Sequence, residues 1–275
     1  MMRECLEVME IAKAAGEAIM SHYGKELNIV SKSKKEFDPV TDADLEADRC
    51  ISGRLEAKFP GMPILSEESK HGSIDYTGKV WVVDPLDGTK EFIRHGKDFS
   101  VMIGLVDGGV PLLGVVYAPA AGKMYYAYRG AGAYLKERGR DGRINVSGVS
   151  SLDHARQIVR AGYTRKNMLD AFVGGLAVGK SLEKSSIGLR LCALAAGDAD
   201  MYINTNKSNK WDTAAGEVIL SEAGGVITDF DSKRLDYGKE GSAWERSFIA
   251  SNTALHGKLM ELLPGDALAM MSQKM

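Results

Sequence analysis

Cys5, Val8, Ala12, Ala15, Ile19 and Tyr23 recur at helical spacing and predict an amphipathic helix over residues 3–23, stopped by Gly24. Ala47, Ile51 and Leu55 predict a second helix, capped by Thr41 or Asp42 and running to about Phe59. Pro63-Ile-Leu-Ser-Glu-Glu reads as a short strand that ends on Glu67 and Glu68. Val80–Val83 is apolar and β-branched apart from Trp81, the pattern of a buried strand. Asp84 and Pro85 end it, because proline brings no N–H to a ladder. Asp87 and Gly88 then predict a turn, with Thr89 as the N-cap of a helix. Residues 99–106 alternate as a strand with two unlike faces, Asp107-Gly-Gly marks a hairpin, and 112–118 and 124–128 continue an antiparallel meander. Gly130-Ala-Gly-Ala is read as a tight turn, since it lacks the third glycine of a dinucleotide fingerprint.

The pattern changes near residues 140–152, which are polar and rich in Gly and Ser. Beyond them come a strand at 158–162, helices at 166–178 and 187–196, and a strand at 199–203. A helix at 213–223, strands at 226–229 and 248–251, and a helix at 253–263 follow. The fold class is α/β (α+β): an antiparallel N-terminal sheet in a half of about 1–150, beside a mixed α/β half of about 151–264. No long linker divides them, so 1–264 is one domain and 265–275 a tail. The polar stretch 31–38 reads as a loop whose lysines face solvent.

Composition narrows the class without naming it. Of 275 residues, 26% are charged and the net charge is -2, which gives no reason to expect a nucleic-acid polymer as partner. No apolar run reaches the ~20 residues of a membrane span, and the start, Met-Met-Arg-Glu-Cys-Leu-Glu, is too charged for a signal peptide. Cys5, Cys50 and Cys192 form no CxxC pair and read as reduced thiols, so a cytoplasmic location is expected.

The chemistry lies in acids at strand ends and helix starts. Glu67 and Asp84 end strands, Asp87 lies in the next turn, and Asp212 begins a distant helix. Each has a bland reading taken alone: Asp212 as an N-cap, and Asp42, Asp44, Glu46 and Asp48 as acids favoured by a helix dipole. Four carboxylates gathered without paired lysines repel unless divalent cations neutralise them. An all-oxygen set favours Mg²⁺ over Zn²⁺, and free N–H groups at Gly88 and Thr89 suit a phosphate. Together these point to phosphoryl transfer to water. A phosphatase with an aspartyl nucleophile ranks lower, because Asp-x-x-Asp-Gly-Thr is one residue longer than its Asp-x-Asp-Gly-Thr.

Trp-Val-Val-Asp-Pro-Leu-Asp-Gly-Thr-Lys-Glu-Phe (81–92) and Trp-Asp-Thr-Ala-Ala-Gly (211–216), with Pro-Val-Thr-Asp-Ala-Asp (39–44) and Glu67-Glu68, resemble the inositol monophosphatase superfamily over residues 5–263. The resemblance implies a layered αβαβα sandwich, a homodimer, lithium sensitivity, a small phosphorylated substrate and two or three Mg²⁺ ions. By position, Glu67, Asp84, Asp87, Asp212 and the carbonyl of Leu86 would be metal ligands. Asp44, Thr89 and Glu67 would act on the attacking water. Asp87, Gly88, Thr89, Ser186, Arg190 and Asp212 would meet the substrate, Arg190 through its second phosphate.

Thr-Lys-Glu-Phe (89–92), Ser186-Ile-Gly-Leu-Arg and Ser208-Asn-Lys-Trp-Asp are closer to the 3′(2′),5′-bisphosphate nucleotidase branch. Arg160-Ala-Gly-Tyr-Thr-Arg departs from it, lacking a Ser-rich, His-containing stretch. Inositol-1-phosphate or fructose 1,6-bisphosphate is the alternative substrate. A non-catalytic regulatory homologue is disfavoured because no acid of the set is missing.

Overall fold

The computed structural model describes residues 1–32, 38–69, 74–160, 168–244 and 247–263. In chain order the elements are α1 (Met2–His22), β1 (Ile29–Ser31), β2 (Pro39–Thr41), α2 (Asp42–Lys58), β3 (Ile64–Ser66) and β4 (Lys79–Asp87). Next come α3 (Thr89–Ile93), β5 (Ser100–Asp107), β6 (Val110–Ala118), β7 (Lys123–Tyr128), β8 (Ala133–Glu137) and β9 (Arg140–Ile144). The second half holds β10 (Arg156–Arg160), α4 (Met168–Gly175), β11 (Lys180–Lys184), α5 (Ile187–Ala195) and β12 (Met201–Ile203). It closes with α6 (Lys210–Glu222), β13 (Gly225–Asp229), β14 (Phe248–Asn252) and α7 (Thr253–Leu262).

Strands β3 to β9 form a seven-stranded sheet in sequence order, antiparallel except for the parallel β3–β4 pair. A mixed five-stranded sheet runs β11-β10-β12-β14-β13. The β4 sequence alternates between two cores. Val80 and Val82 pack with α5 and α6 between the sheets, while Trp81 and Val83 pack under α1 and α2. Val173, Leu255 and Leu259 of α4 and α7 cover the far face of the smaller sheet. The layers are therefore α1/α2, large sheet, α5/α6, small sheet, α4/α7. This is the expected αβαβα order, an antiparallel sheet joined to a mixed α/β half.

Close approach of α6 to the large sheet depends on two glycines. Gly104 and Gly114 are cross-strand partners on β5 and β6. A Cβ on Gly114 would stand 2.1 Å from the Ala215 carbonyl oxygen, and one on Gly104 would stand 3.1 Å from Ala214 Cβ. Helix α6, which carries Asp212 in its first turn, thus lies directly on β5 and β6.

Some sequence expectations shift. Strand β4 does not stop at Asp84 but continues to Asp87. Gly88, at φ 102°, is the residue that caps α3, and Thr89 is the helix's first residue. That left-handed φ suits glycine, whereas a threonine there would be strained. Helix α6 starts at Lys210, three residues before the expected 213, because Asn209 caps it. The short strands β1, β2, β8, β9 and β11 were not expected. The expected frayed tail lies outside the described residues, as do positions 161–165 of the Arg160–Arg165 stretch.

Candidate active site

A β-bulge builds the centre. On β4, Asp84 pairs with Met102 and Asp87 with Ser100, so three steps on one strand oppose two on its neighbour. In a regular strand, residues three apart point to opposite faces. The extra residue returns Asp87 to the side of Asp84, and both line one cavity of about 580 Å³. Pro85 falls inside the bulge, where a missing N–H costs nothing, and the Leu86 N–H donates to Asp84 Oδ1 at 3.1 Å.

Two further acids are delivered by the same device. Asp44 and Asp212 are each the third residue of a helix and complete a capping box. The Thr41 N–H donates to Asp44 Oδ2 at 2.7 Å, and the Asn209 N–H donates to Asp212 Oδ2 at 2.6 Å. Each box occupies one carboxylate oxygen and leaves the other to face inward. For Asp44 that oxygen, Oδ1, accepts the Thr89 hydroxyl at 2.9 Å. Thr89 Oγ1 also lies 3.1 Å from the Leu86 carbonyl.

Glu67, Asp84, Leu86, Asp87, Gly88, Thr89, Arg190 and Asp212 all line the cavity. Asp44 and Ser186 stand behind that wall, at 1% and 0% exposure. The Ser186 hydroxyl donates to Asp87 Oδ2 at 2.5 Å and accepts the Leu189 N–H at 3.0 Å. Ser186 therefore holds Asp87 and caps α5. Arg190 spends its guanidinium on the protein. It donates to the Lys184 carbonyl at 2.9 and 3.1 Å, to the Ser185 carbonyl at 2.6 Å and to Tyr202 Oη at 2.6 Å. Of its five N–H groups, one is left over from these four bonds.

Lys32 departs from the solvent-facing reading of the 31–38 stretch. Its ammonium lies 2.9 Å from Glu67 Oε1 and 2.5 Å from Glu68 Oε1. Burial works against that ammonium, but Glu67 and Glu68 outweigh it and raise its pKa. The pairing runs from a strand-end loop to a residue 35 positions away, and the local pattern carries no sign of it.

The electrostatics are those of crowded anions. Burial first, then Glu67, Asp87 and Asp212, hold the Asp84 carboxyl well above the usual range. Asp212 is raised by burial, then by Glu67 and Asp87. Asp87 is pushed up to about 6 by burial, with Ser186, Gly188 and Arg190 opposing. Burial also raises Asp44, against its bonds from Thr41 and Thr89. Among the described residues, no three His, Cys, Asp or Glu side chains converge as a ready-made metal cage. The donor set nevertheless fits a hard divalent cation: every ligand is oxygen, and positive charge beside the carboxylates would relieve the repulsion that holds their protons on.

The profile of the inositol monophosphatase family matches residues 1–265. The chain is 34% identical over 252 residues to a 3′(2′),5′-bisphosphate nucleotidase CysQ of Aggregatibacter actinomycetemcomitans, covering 90% of this chain and 92% of that protein. It is 31% identical over 263 residues to a fructose-1,6-bisphosphatase/inositol-1-monophosphatase of Thermotoga maritima, covering 93% of each. A solved Thermotoga maritima IMPase superposes with a TM-score of 0.83 at 29% identity, over 99% of this chain and 100% of that one. With its sequence matched from end to end and its layers shared with a solved relative, the chain belongs to the inositol monophosphatase family.

Proposed function

We propose that the protein is a Mg²⁺-dependent phosphomonoesterase that removes the 3′-phosphate of adenosine 3′,5′-bisphosphate. Membership of its family makes the chain a phosphoric monoester hydrolase. The observation that carries the mechanism is the hydrogen bond from Thr89 Oγ1 to Asp44 Oδ1 at the edge of the acid-lined cavity. A water beside Thr89 gives its proton to the threonine hydroxyl as that hydroxyl passes its own to Asp44. Burial, which makes Asp44 hold a proton more strongly, makes it the better base for this step. The water oxygen bonds to phosphorus, the ester P–O bond breaks, and the sugar oxygen leaves. The N–H groups of Gly88 and Thr89, at the start of α3, would meet the phosphate oxygens.

Glu67, Asp84, Asp87, Asp212 and the Leu86 carbonyl would hold two or three Mg²⁺ ions. Bound there, the ions would supply positive charge that lowers the pKa of water and stabilises the leaving oxygen. The nucleotide reading is supported by the CysQ relative and by Thr89-Lys-Glu-Phe. Arg94, Arg160 and Lys207 line the same cavity and offer positive charge to a second phosphate, while Arg190 positions the 184–186 segment that holds Asp87. Inositol-1-phosphate or fructose 1,6-bisphosphate is the second reading, favoured by the Thermotoga relative. A soluble cytoplasmic homodimer is part of the proposal; among the described residues no helix is long and apolar enough to cross a membrane.

The base assignment is tested with Asp44→Asn. General-base removal lowers kcat by ~10²–10⁴-fold. The Mg²⁺-induced rise in melting temperature should persist in this variant. Unchanged kcat, or equal loss of the Mg²⁺ response, contradicts the assignment.

A further inference from the structure

A second cavity, of about 590 Å³, opens on the C-terminal half of α6, away from Asp212. Its walls come from the β5–β6 turn, the end of β7, strand β13 and the segment after it. That volume lies within the ~300–1,000 Å³ of small-molecule sites. Arg129 and Arg234 stand at its rim, and neither forms an ion pair or side-chain hydrogen bond among the described residues. Both line the same cavity as Glu217, and their positive charge acts to lower that carboxyl's pKa. Burial pushes that group up to about 7, against the Tyr237 hydroxyl and the two guanidinium groups.

Two other acids line the cavity and have backbone partners. The Glu222 oxygens accept the N–H groups of Gly130 at 2.8 Å and Gly132 at 2.7 Å. Asp236 Oδ1 accepts the Gly238 N–H at 2.9 Å. The arginines are left as the groups able to take an incoming charge, with Glu217 in the same lining as an acceptor.

We propose that this cavity is a second binding site, for a small organic anion whose phosphate monoester or carboxylate meets Arg129 and Arg234 and whose hydroxyl meets Glu217. Paired guanidiniums suit such groups because their forked N–H donors match two oxygens at once. The site carries its own reporter. Tyr237 Oη lies 2.7 Å from Glu217 Oε2 and 2.9 Å from Thr213 Oγ1, which accepts the Trp244 indole N–H at 3.0 Å. The Trp244 and Tyr237 rings meet edge-on at 4.8 Å. An anion drawn to Glu217 therefore perturbs an indole at the other end of this chain of bonds.

The test titrates glycerol 3-phosphate and, separately, citrate into the full chain in EDTA, where the acid-lined cavity repels anions. Calorimetry and tryptophan emission are followed together. The expected result is a saturable isotherm for at least one probe, with an emission change that Trp244→Phe removes. Which probe binds tells phosphate from carboxylate. Arg129→Ser with Arg234→Ser should weaken binding at least tenfold, ~1.4 kcal/mol, while circular dichroism stays unchanged. No saturable binding of either probe at millimolar concentration overturns the proposal. So does an isotherm unchanged in the double variant, or one abolished by Arg94→Ser, which would move the anion to the first cavity.

Discussion

Replacing Asp84 by Asn should make the metal-free protein more stable while destroying its response to Mg²⁺. Asparagine keeps the volume and keeps an oxygen for the Leu86 N–H, so only the charge is lost. That charge is unfavourable in the folded, metal-free state, because burial and then Glu67, Asp87 and Asp212 raise the Asp84 pKa. A carboxylate with a raised folded pKa subtracts stability above its ordinary value, at ~1.4 kcal/mol per pKa unit. Deleting the charge returns that amount. In the wild type, Mg²⁺ at one hundred times its Kd adds ~2.7 kcal/mol. An unfolding entropy of ~2.1 cal/mol/K per residue over 275 residues gives ~0.6 kcal/mol/K, so Mg²⁺ should raise the melting temperature by ~5 °C. Thermal melts in EDTA and in Mg²⁺ read both effects. The variant should melt above wild type in EDTA and shift by less than ~1 °C at the same Mg²⁺ concentration. A variant that melts lower in EDTA and keeps the full shift would refute the placement of Asp84 among the ligands.

Two other outcomes follow from the same geometry. Asp87 at about 6 and Glu68 at about 7 both lie above their ordinary values through burial, so the folded chain keeps protons that the unfolded chain releases. Metal-free stability should therefore rise as pH falls from 8 to 5, while the Mg²⁺-induced gain shrinks below pH ~6 because protons and Mg²⁺ compete; melts across pH in EDTA and in Mg²⁺ check both signs. Gly114→Ala should cost ~1–3 kcal/mol or more in a urea titration, since its Cβ meets the Ala215 carbonyl and lifts α6 from the sheet; a cost under ~0.5 kcal/mol would deny that close approach.

What the sequence disclosed was local. Asp84 and Asp87 could be read beside a strand because the apolar run and Pro85 are contiguous with them. The bulge could not, since an extra residue shows only against the partner strand, at Met102 and Ser100. Asp44 looked like a dipole-favoured acid because its distinguishing bond reaches Thr89, 45 residues on. Asp44 and Asp212 each close a capping box of their own, with Thr41 and with Asn209, and this shared three-residue spacing is a signal the chain carries. Strands β1 and β9 escaped notice because nearly all their residues are exposed, leaving no apolar alternation to find. The basic character of Arg190 was plain, but its engagement by the Lys184 and Ser185 carbonyls depends on how α5 meets the preceding segment.

The most direct test of the account is phosphate release from adenosine 3′,5′-bisphosphate, inositol-1-phosphate and fructose 1,6-bisphosphate, each with Mg²⁺ and with EDTA. Release should require Mg²⁺, with the highest kcat/KM on the nucleotide. Release that persists in EDTA would contradict the metal chemistry, and a higher kcat/KM on either of the other two substrates would contradict the nucleotide assignment.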